Sequence, residues 1–422
     1  MGRVSTDLHL PGTTGFRRLN LAMVLAGLAA FGILYATQPV LPRIGATYGV
    51  GPSRASLTVS ATTGALALAV LPMAALAVRI GRVRVMRGGL LLAVVLTALA
   101  AEAPTFPVLV GLRAATGVVL AAVVAVAMGH VGAEVEPRGL GSAMGLYVAG
   151  NSLGGVGGRV LASLVADGTS WRWGVAAVAA GGLLATVAFW WLLPEPVGDA
   201  EAEPPDGGGG AYGALLRRPA MLALLLVPVT LMGGFVTVYN YLSYRLVAPP
   251  FDLPLSVVGL VFLAYLAGTG SSAVAGRAAD ALGRPRVVLV SVLVMAAGLA
   301  LTLPDRLPWV IVGLVVFTGG FFAAHATSSG WAPVVGAPYG TRASALYVCG
   351  YYAGSSVFGT VLGGAWSTGG WPAVVESVGV LILVGTLAAV AVAAQTRTAI
   401  SSPSRAPSSR SRWTPDQKLP GS

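Results

Sequence analysis

Arg113 and Arg159 each sit inside an apolar stretch, VLVGLRAATGVVL and SLGGVGGRVLASL. A cation near the centre of a bilayer costs about 3 kcal/mol or more, so each is a functional candidate whose partner has to be found. In the first half of the chain the polar candidates near them are Gln38, with Tyr35 three residues earlier, and Asn151. Two cations with no carboxylate in the same half would make a positive cavity, which favours neutral or anionic cargo over cationic cargo. The competing reading for either arginine is structural: a guanidinium that ties helices together through backbone carbonyls.

The second half offers different chemistry. His325 lies on one apolar stretch, and Tyr347, Tyr351 and Tyr352 lie on the next. Counted from the ends of those stretches, His325 and Tyr347 lie at the same depth, about six residues or roughly 9 Å in. An imidazole titrates near neutral pH, which makes His325 a candidate proton carrier. A hydrogen-bonded packing histidine is the competing reading. Glu376, about one turn into the last apolar stretch, is the clearest carboxylate within a stretch. Tyr239, Asn240, Tyr241 and Tyr244 gather toward one end of another stretch, a level suited to a gate. Glu102 and Asp167 fall at stretch ends, where solvation explains them. The sequence has no nucleotide-binding loop, no metal-ligand cluster and no nucleophile paired with a base, and His9, His130 and His325 are scattered. No enzyme, cofactor or metal is therefore expected.

The elements that position these residues are apolar runs. Of the 422 residues 55% are hydrophobic and only 10% charged, and the mean hydropathy is +0.80. A soluble chain would carry roughly a quarter charged residues, so this is an integral membrane protein. Its net charge of +11 comes from arginines in short loops, which read as topology signals rather than as a nucleic-acid surface. Spans of about 20 apolar residues recur. The first six are Leu19 to Leu41, Ala55 to Val78, Gly88 to Ala103, Phe106 to His130, Gly139 to Ala166 and Arg172 to Leu193. The second six are Pro219 to Ser243, Leu255 to Ala279, Val287 to Leu303, Leu307 to Trp331, Thr341 to Ser367 and Trp371 to Ala394.

The expected organisation is an all-α, polytopic protein with twelve transmembrane helices in two pseudo-symmetric bundles. These are residues 19–193 and 219–394, with a polar lead at 1–18, an acidic Pro/Gly-rich linker at 194–218 and a Ser/Pro/Arg-rich tail at 395–422. Lead, linker and tail lack the apolar surface to fold. Loop arginines such as Arg79, Arg82, Arg84, Arg87, Arg138, Arg217, Arg218, Arg284 and Arg286 place both termini in the cytoplasm. Trp171, Trp173, Trp309 and Trp371 read as anchors at the opposite interface. Cys349, the single cysteine, reads as a packing residue.

The chain also repeats itself. Leu146, Tyr147, Val148, Gly150, Gly154 and Trp171 recur two hundred positions later as Leu346, Tyr347, Val348, Gly350, Gly354 and Trp371. Such a self-match marks a duplicated architecture. Gly150 with Gly154, and Gly350 with Gly354, put small residues on one helix face, where another helix can approach closely. The expectation is that these faces form the contact on which the halves pivot.

Between spans 8 and 9 lies GRAADALGRPR, with Asp280, Gly283 and Arg284; its counterpart between spans 2 and 3 is AALAVRIGRVR, with Gly81 and Arg82. Each reads as a tight hairpin, and Asp280 is placed to pair with Arg284 or with a helix N-terminus. Together with LRAATG around Arg113, LYATQPVLP, MGLYVAGNSLGGVGGR, GGFVTVYNYLSYRL, AYLAGTGSS, GGFFAAH and LYVCGYYAGSS, these loops resemble the major facilitator superfamily, specifically YnfM-type bacterial inner-membrane transporters of its drug and metabolite efflux branch. The chain departs from that pattern at Val78, where the family has Asp, and at Gly154-Gly155, where an antiporter motif has a glycine-proline pair.

The resemblance implies alternating access and proton-coupled efflux of small neutral, amphipathic or anionic compounds. A facilitator or importer of a metabolite is the alternative, and a membrane sensor a remoter one. It implies a plasma-membrane monomer whose partners are a small-molecule substrate, protons and the lipid bilayer, with no nucleic acid.

Overall fold

A computed structural model describes residues 8–195 and 210–401, with 397–401 as helical backbone only. Twelve long helices account for nearly all of it: α1 Thr14–Leu34, α2 Leu57–Ile80, α3 Arg82–Ala101, α4 Phe106–Glu134, α5 Pro137–Gly168 and α6 Trp171–Leu192, then α7 Pro219–Leu246, α8 Tyr265–Leu282, α9 Arg284–Leu301, α10 Leu307–Val335 and α11 Gly340–Val361. The run Gly363–Ser401 breaks at Gly370 (φ 61°), so residues 371–401 form α12. Among the described residues there is no strand, only a backbone bridge between His9 and Val135.

Ten helices are long and apolar enough to cross a membrane; α5 and α11, at 32 and 22 residues, are long enough but not apolar enough. These two are the repeat helices, in which glycine, serine, tyrosine and asparagine replace leucine and valine. Because twelve is even, α1 starts and α12 ends on the same side, here termed the terminal face; the opposite side is the far face.

Glycine spacing decides which helices meet. A Cβ at Gly150 or Gly154 would fall on the backbone of Val24 or Leu28, and Gly158 packs on Gly32, so the glycine face of α5 lies against α1. In the same way Gly354 lies on the backbone of Val229, joining α11 to α7. This corrects the sequence expectation: Gly150, Gly154, Gly350 and Gly354 close-pack helices within each half and do not join the halves. The halves meet along α2 with α11 and α5 with the segment before α8, where Gly64 faces Ser356 and Gly259 faces Ser163.

Gly81 (φ 95°) and Gly283 (φ 84°) turn the chain between α2 and α3 and between α8 and α9. That backbone region suits glycine, which has no Cβ to clash. Arg82 Nη1 donates to Gly129 O at 3.3 Å and so ties the first turn to α4.

Five further readings change. The lead is tied to the chain at His9, whose N donates to Glu134 O at 2.8 Å, and α1 starts at Thr14 rather than Leu19, with Thr13 accepting from Phe16 N. The linker includes a helix, Gly210–Leu216, that buries Ala211 and Leu215, and α12 continues past Ala394. Trp171 and Trp371 are buried and donate to Thr47 Oγ1 and Thr302 O, unlike the exposed Trp173 and Trp309. The lead before residue 8, the acidic stretch 196–209 and the tail beyond 401 lie outside the described residues.

Candidate functional site

The site begins at a break in a helix. After Leu34 the chain leaves α-geometry over residues 35–37, makes a 3-10 turn at Gln38–Val40, and resumes as Leu41–Tyr48. A break inside a bilayer orphans backbone carbonyls, which must then be satisfied by protein groups. Arg113 of α4 does this: Nη1 donates to Ile33 O at 3.1 Å, Nη2 to Leu34 O at 2.5 Å and Nε to Thr58 O at 3.1 Å. With all three bonds to carbonyls and no exposure, Arg113 braces α1, α2 and α4 together.

Arg159 of α5 is arranged differently. Nε donates to Gln38 Oε1 at 2.7 Å, Nη1 to Gly155 O at 2.6 Å and Nη2 to the Tyr265 hydroxyl at 3.3 Å. Its guanidinium carbon also lies 4.2 Å from the Tyr35 ring centre, 4.7 Å from Tyr265 and 5.2 Å from Phe262. Aromatic faces at this range attract a cation without neutralising it. Gln38 Nε2 continues the chain to Asn240 Oδ1 at 2.8 Å, and Asn240 Nδ2 donates to Gly359 O at 3.2 Å. The break in α1, the middle of α5 and the far-face end of α7 thus meet in one polar chain.

From Arg159 an aromatic wall runs through the second half. Tyr265 packs against Phe235, Tyr239 and Phe322; Phe235 stacks on Phe321 at 4.0 Å; and Phe321 stacks on His325. His325 Nδ1 and the Tyr347 hydroxyl are 3.1 Å apart, so these residues do share a level, and Tyr351 lies 4.7 Å from the imidazole. Tyr265, Phe322, His325 and Tyr351 are only half-buried, which gives the wall a wetted face. Tyr239 is fully buried, its hydroxyl 2.7 Å from Thr318 Oγ1, and it backs this wall.

Polar bonds between the halves lie in the far-face half of the molecule. Ser53 Oγ donates to Thr360 O at 2.9 Å, Ser356 Oγ to Ser60 O at 2.7 Å, Tyr241 to Ser56 Oγ at 3.3 Å and Tyr244 to Leu41 O at 3.0 Å. Asp167 accepts from Leu255 N at 3.0 Å and Ser256 Oγ at 2.6 Å. Toward the terminal face the contact opens. Over the last ten residues of α2 (71–80) only Ala77 is buried, and over the last fourteen of α8 (269–282) only Ala275. The site is closed on the far side and flanked by unpaired helix ends on the terminal side.

The structure redistributes several sequence candidates. Arg159, Gln38, Tyr35 and Asn240 come together, and so do His325, Tyr347 and Tyr351. Arg113 stands apart as a brace. Asn151 is eight residues, about 12 Å, along α5 from Arg159 and packs on Gly27, so it is not the arginine's partner. Glu376 is exposed on α12 and outside the site. Asp280 is exposed and no ion pair joins it to Arg284 among the described residues. Asp167 is more than a solvated helix end, because it holds the start of the Leu255–Leu260 helix from across the boundary.

The Major Facilitator Superfamily model matches residues 23–247, more than half of the chain. The inner membrane transport protein YnfM of Escherichia coli is 37% identical over 380 residues, covering 89% of this chain and 90% of YnfM. The chain belongs to the Major Facilitator Superfamily. A second superfamily relative, the uncharacterized MFS-type transporter YybF of Bacillus subtilis, is 35% identical over 374 residues, 88% of this chain and 93% of YybF.

Among solved structures, an inward-facing, unoccupied bacterial homolog of the human lysosomal transporter Spinster superposes with a TM-score of 0.74. It is 16% identical, with 96% of this chain and 100% of that one covered. The D323A mutant of the nucleoside transporter NupG gives 0.72 at 14% identity, covering 89% and 99%. The fold is that of the superfamily, and the protein is a membrane transporter rather than an enzyme.

Sequence reasoning missed two groups of superfamily residues here. Tyr265, Phe322 and Phe235 fall in AYLAGTGSS, GGFFAAH and GGFVTVYNYLSYRL, stretches that carry the family resemblance but no site role, because an aromatic in an apolar helix looks the same whether it packs or binds. The far-face closure did carry one. Ser53, Ser56 and Ser60 recur at spacings of three and four, opposite Ser356 and Thr360. On a helix that spacing makes a polar stripe facing a partner.

Proposed function

We propose that this protein is a secondary active transporter that exports small neutral, amphipathic or anionic compounds in exchange for protons. Both termini are cytoplasmic, so the state described here opens to the cytoplasm. Cargo enters between the unpaired ends of α2 and α8 and reaches the chamber of Arg159, Gln38, Tyr35, Tyr265 and Tyr351. The observation that carries this reading is the position of these side chains, at the junction of the two halves, with hydrogen bonds across the boundary on the far side and exposed helix ends on the other. In alternating access the halves rock about such a site near the midplane. His325, hydrogen-bonded to Tyr347 beside the aromatic wall, is the proposed proton carrier, since imidazole is the side chain best suited to exchange a proton near neutral pH. The protein works as a monomer in the plasma membrane.

The test is transport by the purified protein in proteoliposomes, using compounds chosen by comparing the susceptibility and metabolite content of cells with and without it. Under this reading an imposed pH gradient drives accumulation and its collapse abolishes it. Cargo movement that ignores the gradient rejects proton coupling. The lack of a carboxylate partner at Arg159 favours a second reading, a facilitator or importer, for which counterflow without a proton requirement is the signature.

A further inference from the structure

We propose that the cargo is a small organic monoanion on a flat apolar body, an aromatic carboxylate, with its carboxylate on Arg159 and its ring against Tyr265, Phe322 and Tyr351. This rests on the reading of the Arg159 chamber as the cargo site and narrows it to one chemical class.

Arg159 is 1% exposed and lies nine residues before the end of α5, so it is deep in the bilayer. Ion pairs among the described residues are Arg43 with Asp167 and Arg245 with Asp305; neither these nor the 3.9 Å contact of His130 with Glu134 involves Arg159. Its charge is held by an amide oxygen, a backbone carbonyl, a hydroxyl and aromatic faces, all neutral. A buried cation surrounded by neutral dipoles still attracts an anion strongly, because little in the site screens it.

The donor inventory leaves two N–H groups for that anion, which would take its place at the guanidinium by displacing the Tyr265 hydroxyl. A guanidinium has five N–H groups, three of which are used by Gln38, Gly155 and Tyr265. One N–H on each Nη remains, and the bond to Tyr265 is the longest of the three, so the Nη edge is where a carboxylate can be received. Arginine suits carboxylates through this planar two-donor geometry. The class is a monoanion because Arg113, the other deep cation of this half, is committed to three carbonyls of α1 and α2. The aromatic body follows from the half-buried faces of Tyr265, Phe322 and Tyr351, which continue from Arg159 toward the open side.

The experiment uses the full-length protein in lipid nanodiscs and three isosteric probes: naphthoate, the neutral naphthamide and the cationic naphthylmethylammonium. Binding is measured by calorimetry. Naphthoate should bind about tenfold or more tighter than naphthamide, and the ammonium weakest, consistent with a charge-assisted pair. In Arg159→Gln the naphthoate-to-naphthamide ratio should fall to near one, whereas Arg159→Lys should keep part of it. Tyr351→Ala should weaken every probe and leave the ratio in place. Because the ratio is taken within one sample, a smaller folded fraction does not change it.

A wild-type ratio near one, a preference for the ammonium, a ratio unaffected by Arg159→Gln, or no binding by any probe overturns the anion assignment. If the ratio fails while Tyr351→Ala still weakens binding, the chamber stands as the cargo site with another cargo class. If probes bind but neither variant changes any affinity, the chamber itself is rejected.

Discussion

Gln38 and Asn240 lie 202 positions apart in the chain and share a hydrogen bond of 2.8 Å. The other end of the Gln38 amide accepts from Arg159 at 2.7 Å, so a single side chain spans the boundary between the halves with both of its functional groups used. Asn240→Leu leaves the buried Gln38 amide N–H without an acceptor, which costs about 1–3 kcal/mol. That cost falls on the state closed at the far face. The alkylation rate of a cysteine introduced at Ser53, in a Cys349→Ser background, should therefore rise roughly tenfold. An unchanged rate would mean that this bond takes no part in closure.

Arg113 caps the carbonyls of Ile33 and Leu34 at the break in α1. Arg113→Met should lower stability by about 1–3 kcal/mol, since it leaves the buried Leu34 O without its donor, while Ile33 O keeps Ala36 N and Thr58 O keeps Thr62 Oγ1. Arg113→Lys should recover little of this, because a single ammonium lacks the planar fork that reaches three carbonyls. Thermal unfolding in detergent measures both. A Lys variant as stable as the wild type would contradict the bracing role.

Gly154 and Gly157 differ in surroundings although they share a helix. Alanine at Gly154 would drive its Cβ onto the Leu28 carbonyl, while nothing lies within 4 Å of a Cβ at Gly157. Gly154→Ala should separate α5 from α1 and lose about 1–3 kcal/mol, as overpacked sites do. Gly157→Ala should be neutral or slightly stabilising, by up to about 1 kcal/mol. Equal melting temperatures for the two variants would refute this account of the seam.

Asp167 supplies a helix cap from the other half of the molecule. Asp167→Ala releases Leu255 N and Ser256 Oγ together and should weaken the closed far face by about 1–2 kcal/mol. Arg43→Ala should matter less, under about 1 kcal/mol, since Arg43 and Asp167 are 36% and 26% exposed. Spin labels at the far-face end of α5 and on the Leu255–Leu260 helix should show a broader, longer distance distribution in Asp167→Ala only.

His325 and Tyr347 test coupling apart from binding. His325→Gln should keep cargo counterflow within about threefold of wild type while abolishing accumulation driven by a pH gradient, because glutamine hydrogen-bonds but does not titrate. Gradient-driven accumulation by this variant would assign the proton elsewhere.

The span pattern was readable in the sequence because a bilayer penalises charge so steeply that the loops declare themselves, as the arginines around Gly81 and Gly283 do. Arg159, Gln38 and His325 were readable for the same reason: a polar group deep in an apolar run needs an explanation. The partner of the Gly150 and Gly154 face was not readable. The atoms it meets on Val24 and Leu28 are backbone, which every residue has. Glu376 misled because its depth was judged along the helix, whereas its exposure depends on which way the helix is turned. Arg113 and Arg159 looked alike in sequence, and only the break in α1 assigns one to the frame and the other to the chamber.

The bonds that shut the far face join serine, threonine, tyrosine, glutamine and asparagine; charge enters the boundary at Asp167 and at Arg159, whose bond to Tyr265 also crosses it. Each neutral bond contributes only about 1 kcal/mol net, so such a seam can part in small successive steps, none of which strands an ion in hydrocarbon. A closure built from buried ion pairs would have to be ruptured in a few large jumps. Hydroxyl and amide fastenings let such a boundary part at ambient thermal energies.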